Sequence, residues 1–388
     1  MSSLTQLRTA AEQAYHRGQF DDAANLYTTV IATKGLQEQE ITDYLMLSLC
    51  LYSSGRLNDA FFLLKSAQSL WPFDPRISEN IGVVLLKLGR LKRAKSAFGR
   101  AVKLGGQSPN VLDGLCQVSF QLGDLEEAVR YGQQSLEIKH KTALGQAKRY
   151  ALPQGRPPAF DFSRPDRNVI SYGLWGDKSR YIVPLLENMR LRPHLFPSWS
   201  VRVYLDDTVP GDARETLQRY GAQLVERQGG SAPFYIKLLW RLEVANDSTV
   251  SRYLIRDADS LLSVKERVAV DAWLASDAYF HVMRDFYTHT DLMLAGMWGG
   301  VAKALPDLQE LLRAFKPPRK PGRTFDQDFL ARMVWPMVSQ SCVIHDSVFT
   351  GTLGSVPFPP YGALLPGSHI GENAFATRLS PPRSRRLG

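Results

Sequence analysis

The stretch Arg252-Tyr253-Leu254-Ile255-Arg256-Asp257-Ala258-Asp259-Ser260 sets an arginine and two carboxylates directly behind a short apolar run. Carboxylates one residue apart repel each other unless something cationic compensates them. A hard divalent ion does so, and Mg²⁺ or Mn²⁺ held by carboxylates can bridge the oxygens of a nucleotide diphosphate. Other apolar runs also end in polar or small residues. Tyr172-Gly173-Leu174-Trp175-Gly176-Asp177 carries two glycines that permit close backbone approach to a nucleotide or sugar. Asp206-Asp207 follows another run, where a helix cap is an equal reading.

The elements that position these residues are read from periodicity. From Asn168 on, the strand-like runs NVISYGLWG, WSVRVYLDD, AQLVER and RYLIRDADS alternate with the helical patterns SRYIVPLLENMRL, DARETLQRYG and FYIKLLWRLEVAND. This order predicts an α/β domain around a mainly parallel sheet. Ligands of such sheets bind at the carboxyl ends of the strands, where the residues above fall.

The first third is different. Gly is followed five residues later by Ala at Gly18/Ala23, Gly55/Ala60, Gly89/Ala94 and Gly123/Ala128, with the glycines stepping by 37, 34 and 34. Each pair sits in a turn between two amphipathic helices, and Tyr27, Leu64 and Phe98 recur nine residues after the glycine. These units resemble tetratricopeptide repeats, which implies an α-solenoid over residues 1–140 whose concave face takes a protein partner, or which docks on the neighbouring domain and orients it. LPQGRPPAFDFSRPD, with four prolines and no apolar periodicity, lies in a linker assigned to 141–167.

Residues 168–373 resemble the GT-A fold of nucleotide-sugar glycosyltransferases, a Rossmann-type α/β domain. The ordered text carries the resemblance: the Asp257-Ala258-Asp259 motif, then Phe280-His281-Val282-Met283-Arg284-Asp285, Leu294-Ala295-Gly296-Met297-Trp298-Gly299-Gly300, Phe325-Asp326-Gln327-Asp328-Phe329-Leu330 and Cys342-Val343-Ile344-His345-Asp346-Ser347. It implies that Asp257 and Asp259 hold Mn²⁺ or Mg²⁺, with His345 or His369 as third ligand. Tyr172, Gly173, Trp175, Arg256, Ser260 and Arg284 become donor-binding candidates, with pairing to nearby carboxylates as the other reading of either arginine. Asp285, Gly296, Trp298 and Gly299 fall on the acceptor side. Asp326 or Asp328 is the general base if the enzyme inverts, and Gln327 or Asp328 sits beneath the sugar ring if it retains. His369-Ile370-Gly371 resembles the closing His and Gly of the retaining family that includes glycogenin, whose following Lys is replaced near Asn373.

The expected function is a metal-dependent, hexosyltransferase-like enzyme that moves a sugar from a nucleoside diphosphate sugar to a glycan, glycolipid or protein hydroxyl. One competing reading is a non-catalytic repeat scaffold with a degenerate nucleotide-sugar domain. A haloacid dehalogenase-type phosphatase also carries Asp-x-Asp after an apolar strand. That motif normally opens its domain, however, and Leu261 stands where the family has Thr or Val. The net charge of +9 is spread along the 388 residues and no aromatic-interleaved basic stripe appears, so nucleic acid is not expected. Part of the excess is local, in the run Arg90, Lys92, Arg93 and Lys95 and in the tail, residues 374–388, with Arg378, Arg383, Arg385 and Arg386. These are either solvated surfaces or a site for anionic lipid. Three scattered cysteines, no membrane-length apolar run and no signal-like N-terminus point to a cytoplasmic protein, in contact at most with the inner face of the membrane, and a bacterial source is expected.

Overall fold

Gly18, Gly55, Gly89 and Gly123 all adopt positive φ, from 69° to 88°, in the turns between paired helices. A residue with a Cβ is strained there, which explains the period of the repeats. The computed structural model describes residues 3–146, 150–228, 232–317, 322, 324–361 and 369–375; the arginines of the basic tail lie outside them. The chain divides into two compact units, the first ending at Ser135 and the second beginning at Leu136.

The described part of the first unit is all helical: α1 Ser3–His16, α2 Phe20–Ala32, α3 Ile41–Ser53, α4 Leu57–Leu70, α5 Pro75–Lys87, α6 Leu91–Lys103, α7 Pro109–Leu122 and the start of α8 Leu125–Gln146. The 3₁₀ turn Leu36–Glu38 takes up the three extra residues of the first period. Ala23, Ala60, Ala94 and Ala128 are fully buried, and Tyr27, Leu64 and Phe98 fill the space they leave. Phe98 is clamped: a Cβ on Gly82 of α5 or Gly114 of α7 would stand 2.6 or 2.5 Å from its ring. Because α8 continues to Gln146, irregular chain begins later than residue 141.

In the second unit the described residues form one sheet: β1 Asn168–Leu174, β2 Ser200–Leu205, β3 Gln223–Glu226, β4 Arg252–Ile255, β5 Phe280–Arg284, β6 Trp298–Val301 and β7 Cys342–Asp346, in the order β3-β2-β1-β4-β6-β5-β7. β6 runs antiparallel to β4 and β5, and the remaining pairings are parallel. α9 Ser179–Leu195, α10 Gly211–Arg219, α11 Phe234–Lys237, α12 Val264–Leu274, α13 Leu308–Ala314 and α14 Phe325–Phe329 connect the strands; a π turn, Leu330–Val334, joins α14 to α15 Trp335–Val338. The main core cluster packs Ile170, Tyr172 and Leu174 of β1 against Val201 and Val203 of β2 and Leu185 and Met189 of α9.

Two local readings of the sequence are corrected. The run FYIKLLWRLEVAND is not one α-helix: α11 ends at Lys237 and a 3₁₀ segment, Trp240–Asn246, follows, with the Arg241 carbonyl accepting a 2.7 Å bond from Ser171 Oγ. The Trp298-Gly299-Gly300 segment is a buried strand and not an acceptor-side loop. Its glycines are dictated by packing, since a Cβ on Gly299 would lie 2.6 Å from the Tyr253 carbonyl and one on Gly300 2.6 Å from the Tyr253 hydroxyl.

Candidate functional site

β1 leads to β2 on one side of it, whereas β4 pairs on its other side, so the chain's direction of travel across the sheet reverses between β1 and β4. At such a switch point the connections diverge and leave a crevice beyond the strand ends. A cavity of about 260 Å³ lies there, lined by Gly173, Trp175, Asp257, Asp259, Asp326 and Gln327 together with Leu174, Tyr181, Leu238, Arg241, Ala258 and Ala295. Carboxylates from the end of β4 and the start of α14 thus meet in one pocket.

Arg241 joins them. Its guanidinium, 7% exposed, donates Nη1 to Asp257 Oδ1 and Nη2 to Asp326 Oδ2, the latter at 3.0 Å. Burial alone would lower the arginine's pKa, but the two carboxylates outweigh it and hold the pKa up. Its Nε is buried without a hydrogen-bond partner among the described residues. Asp326 is 4% exposed, and burial pushes its carboxyl up to about 6 despite Arg241. That value suits a group which must take up and release a proton near neutrality.

Asp259 accepts from Asn373 Nδ2 at 2.5 Å and from Arg180 Nη2 at 3.4 Å, and its carbonyl accepts from the Ala374 amide. Burial and the neighbouring Asp257 raise the Asp259 pKa, so the surrounding cations do not fully compensate the pair. Gly296 makes room for Asp257: a Cβ there would stand 2.1 Å from Asp257 Oδ2 and 2.8 Å from its amide nitrogen. Two carboxylates edging a pocket with unmet negative charge fit a Mg²⁺- or Mn²⁺-type ion that takes its remaining ligands from phosphate oxygens and water. They do not form an all-protein cage, because no group of three or more His, Cys, Asp or Glu assembles among the described residues.

The structure brings Gly173, Trp175, Asp257, Asp259, Asp326 and Gln327 together and places the other sequence-derived candidates elsewhere. His345 is buried against His281, 2.8 Å between ring nitrogens, and burial holds it down to about 4. His369 stacks on Phe286 at 4.4 Å. Neither joins Asp257 and Asp259 in a ligand set among the described residues. Arg256 is buried on Glu266 and on the carbonyls of Ile255 and Trp298, and Arg284 is fully buried on Asp346, so both guanidinium groups are committed to protein partners and not to donor phosphates. Tyr172 points into the core, while Ser260, 3% exposed, bonds back to the Asp257 carbonyl. On the expected acceptor side, Asp285 is buried on Lys265 and the Ile370 amide, and Trp298 is fully buried. Asp328 is half-buried and does not line the cavity.

Sequence reasoning missed Arg241, Arg180 and the contact of Asn373 with Asp259. The one available signal for Arg241 was a cation inside the apolar run Leu238-Leu239-Trp240-Arg241-Leu242, since a buried guanidinium requires anionic partners. Lys237, in the same segment, is buried on Asp206 at 2.6 Å, which gives that strand-end aspartate a structural partner.

Residues 79–140 match the family model of the tetratricopeptide repeat, so the chain carries these repeats there. No curated protein sequence matches the chain. Among solved structures, MamA is similar at 20% identity over 35% of this chain and 73% of its own, with a TM-score of 0.32. PcrH, solved with the chaperone binding region of PopB, is similar at 22% identity over 34% of this chain and 97% of its own, TM-score 0.26. A mutant O-GlcNAc transferase from Thermobaculum terrenum is similar at 16% identity over 66% of this chain, TM-score 0.42, and the match spans 47% of that protein. At these identities and TM-scores none of the three bears on activity.

Proposed function

We propose that the second unit is a GT-A-like glycosyltransferase that transfers a sugar from a nucleoside diphosphate sugar to a hydroxyl acceptor. One observation carries this reading: a single cavity at the β1/β4 switch point holds both carboxylates of an Asp-x-Asp motif and a third, Asp326, with a raised pKa. The divalent ion that Asp257 and Asp259 would hold, when bound, neutralises charge on the leaving diphosphate. Gly173 and Gly176 bracket the turn after β1, where backbone can approach the donor closely. Arg241 fixes Asp257 and Asp326 relative to each other.

In this reading the acceptor oxygen attacks the anomeric carbon as the bond from that carbon to the diphosphate oxygen breaks. The acceptor's proton passes to an Asp326 carboxylate oxygen, and nucleoside diphosphate leaves. Direct displacement assisted by a base inverts the anomeric centre. The test is a thermal-shift screen of nucleoside diphosphates and their sugars, with and without Mn²⁺, on the wild type and Asp259→Ala. A ligand at about 100 times its dissociation constant stabilises its site by about 2.7 kcal/mol. A shift that needs metal and disappears in Asp259→Ala supports the reading. No shift with any nucleotide overturns it.

A further inference from the structure

We propose that α6 and the turn between α4 and α5 form a docking surface for an anionic lipid bilayer. α6, LKRAKSAFGRAVK, contains five cations and no acidic residue, and Arg90 precedes it. Of these six cations, Lys95 is neutralised by Asp124 and Glu127. Arg90, Lys92, Arg93, Arg100 and Lys103 are exposed, and none makes an ion pair among the described residues.

Aromatic side chains stand beside this charge. Phe62 of α4 is 66% exposed and Phe73 of the following turn 80%. The Arg93 guanidinium lies 5.0 Å from the Phe61 ring, which in turn lies 5.6 Å from that of Phe62. At the other end of α6, Arg100 Nη2 donates to the Pro72 carbonyl at 2.9 Å, one residue before Phe73. Arginines without a carboxylate partner among the described residues and two outward phenyl rings therefore lie beside one another on the first unit. Large exposed apolar groups cost free energy in water and gain it at a headgroup boundary, while the cations gain at a surface of anionic lipid. A soluble polyanion would use the charge and leave the rings in water, so the pairing selects a bilayer. The surface belongs to the repeat unit and does not rest on the proposed sugar transfer.

The test is co-sedimentation of the full chain with vesicles of phosphatidylcholine alone and of phosphatidylcholine containing about 30% phosphatidylserine. The wild type is expected to bind only the anionic vesicles and to release from them in high salt. Arg93→Gln with Arg100→Gln should weaken binding roughly 30-fold, at about 1 kcal/mol for each cation removed. Phe62→Ser with Phe73→Ser should weaken vesicle binding about tenfold or more while leaving retention on heparin unchanged. If the arginine pair disturbs folding, Lys92→Gln with Lys103→Gln is the substitute. Equal binding to neutral vesicles, no binding to anionic ones, or undiminished binding after the charge substitutions overturns the proposal; the last result would shift the role to the arginine-rich tail. Loss of vesicle binding in the charge variants but not in the phenylalanine variant identifies a general polyanion site and also overturns it.

Discussion

Arg241→Met removes the guanidinium that Asp257 and Asp326 share. Deleting one partner of a buried ion pair typically costs about 3–5 kcal/mol, because the remaining charge keeps its burial and loses its compensation. The Asp257 side chain is 39% exposed and can recover solvation, so the penalty falls mainly on Asp326 and should lie near the lower bound. About 3 kcal/mol in a unit of this size lowers the melting temperature by about 6–12 °C. The penalty should also depend on pH. In the wild type the Asp326 pKa is raised from 3.8 to about 6, so the fold binds its proton more tightly than the unfolded chain does. Stability is therefore lost as pH rises through that window. Without Arg241 the folded pKa rises further and the loss extends upward. The gap between variant and wild type should be small near pH 4 and complete near pH 8. Tryptophan fluorescence is a suitable probe, since all of the seven tryptophans except Trp71 lie in the second unit. Equal melting temperatures, or a gap indifferent to pH, would refute the assigned pairing. Asp326→Asn added to Arg241→Met should return part of the lost stability, as expected for coupled neighbours.

Other consequences follow from the same geometry. Gly296→Ala places a Cβ 2.1 Å from Asp257 Oδ2, so it should abolish nucleotide-dependent thermal shifts at a stability cost of about 1–3 kcal/mol. For Phe98→Ala, which empties the space between Gly82 and Gly114, circular dichroism should show the first unit destabilised by about 3–5 kcal/mol, with tryptophan fluorescence of the second unit little changed. The rate of sugar transfer should rise with pH through about 6 as Asp326 becomes a free base, and Asp326→Asn should lower it by about 10²–10⁴ and flatten the profile.

The parts of the site legible in the sequence lie at the ends of apolar runs. Gly173, Trp175, Asp257 and Asp259 could be found because a strand's length and its point of termination are local properties. Arg241 offered only its place inside an apolar run, because its partners are 16 and 85 residues away and its own surroundings have the periodicity of a core helix. Arg256 and Arg284 failed for the related reason that a guanidinium near a strand end reads the same whether it faces a phosphate or a buried carboxylate. Glu266 and Asp346, which decide the matter, are brought in by α12 and β7. β6 was hidden by Gly299 and Gly300, whose low strand propensity is overridden by the need to approach Tyr253. The helical repeats were legible because each glycine turn is set by its own backbone conformation.

The central claim is tested most directly by measuring nucleoside diphosphate released from a panel of nucleotide sugars by the wild type and by Asp259→Ala, with Mn²⁺ and with chelator. The account predicts release from one donor class by the wild type, dependent on metal, and its loss in the variant. Release that continues unchanged in Asp259→Ala or in chelator would contradict it.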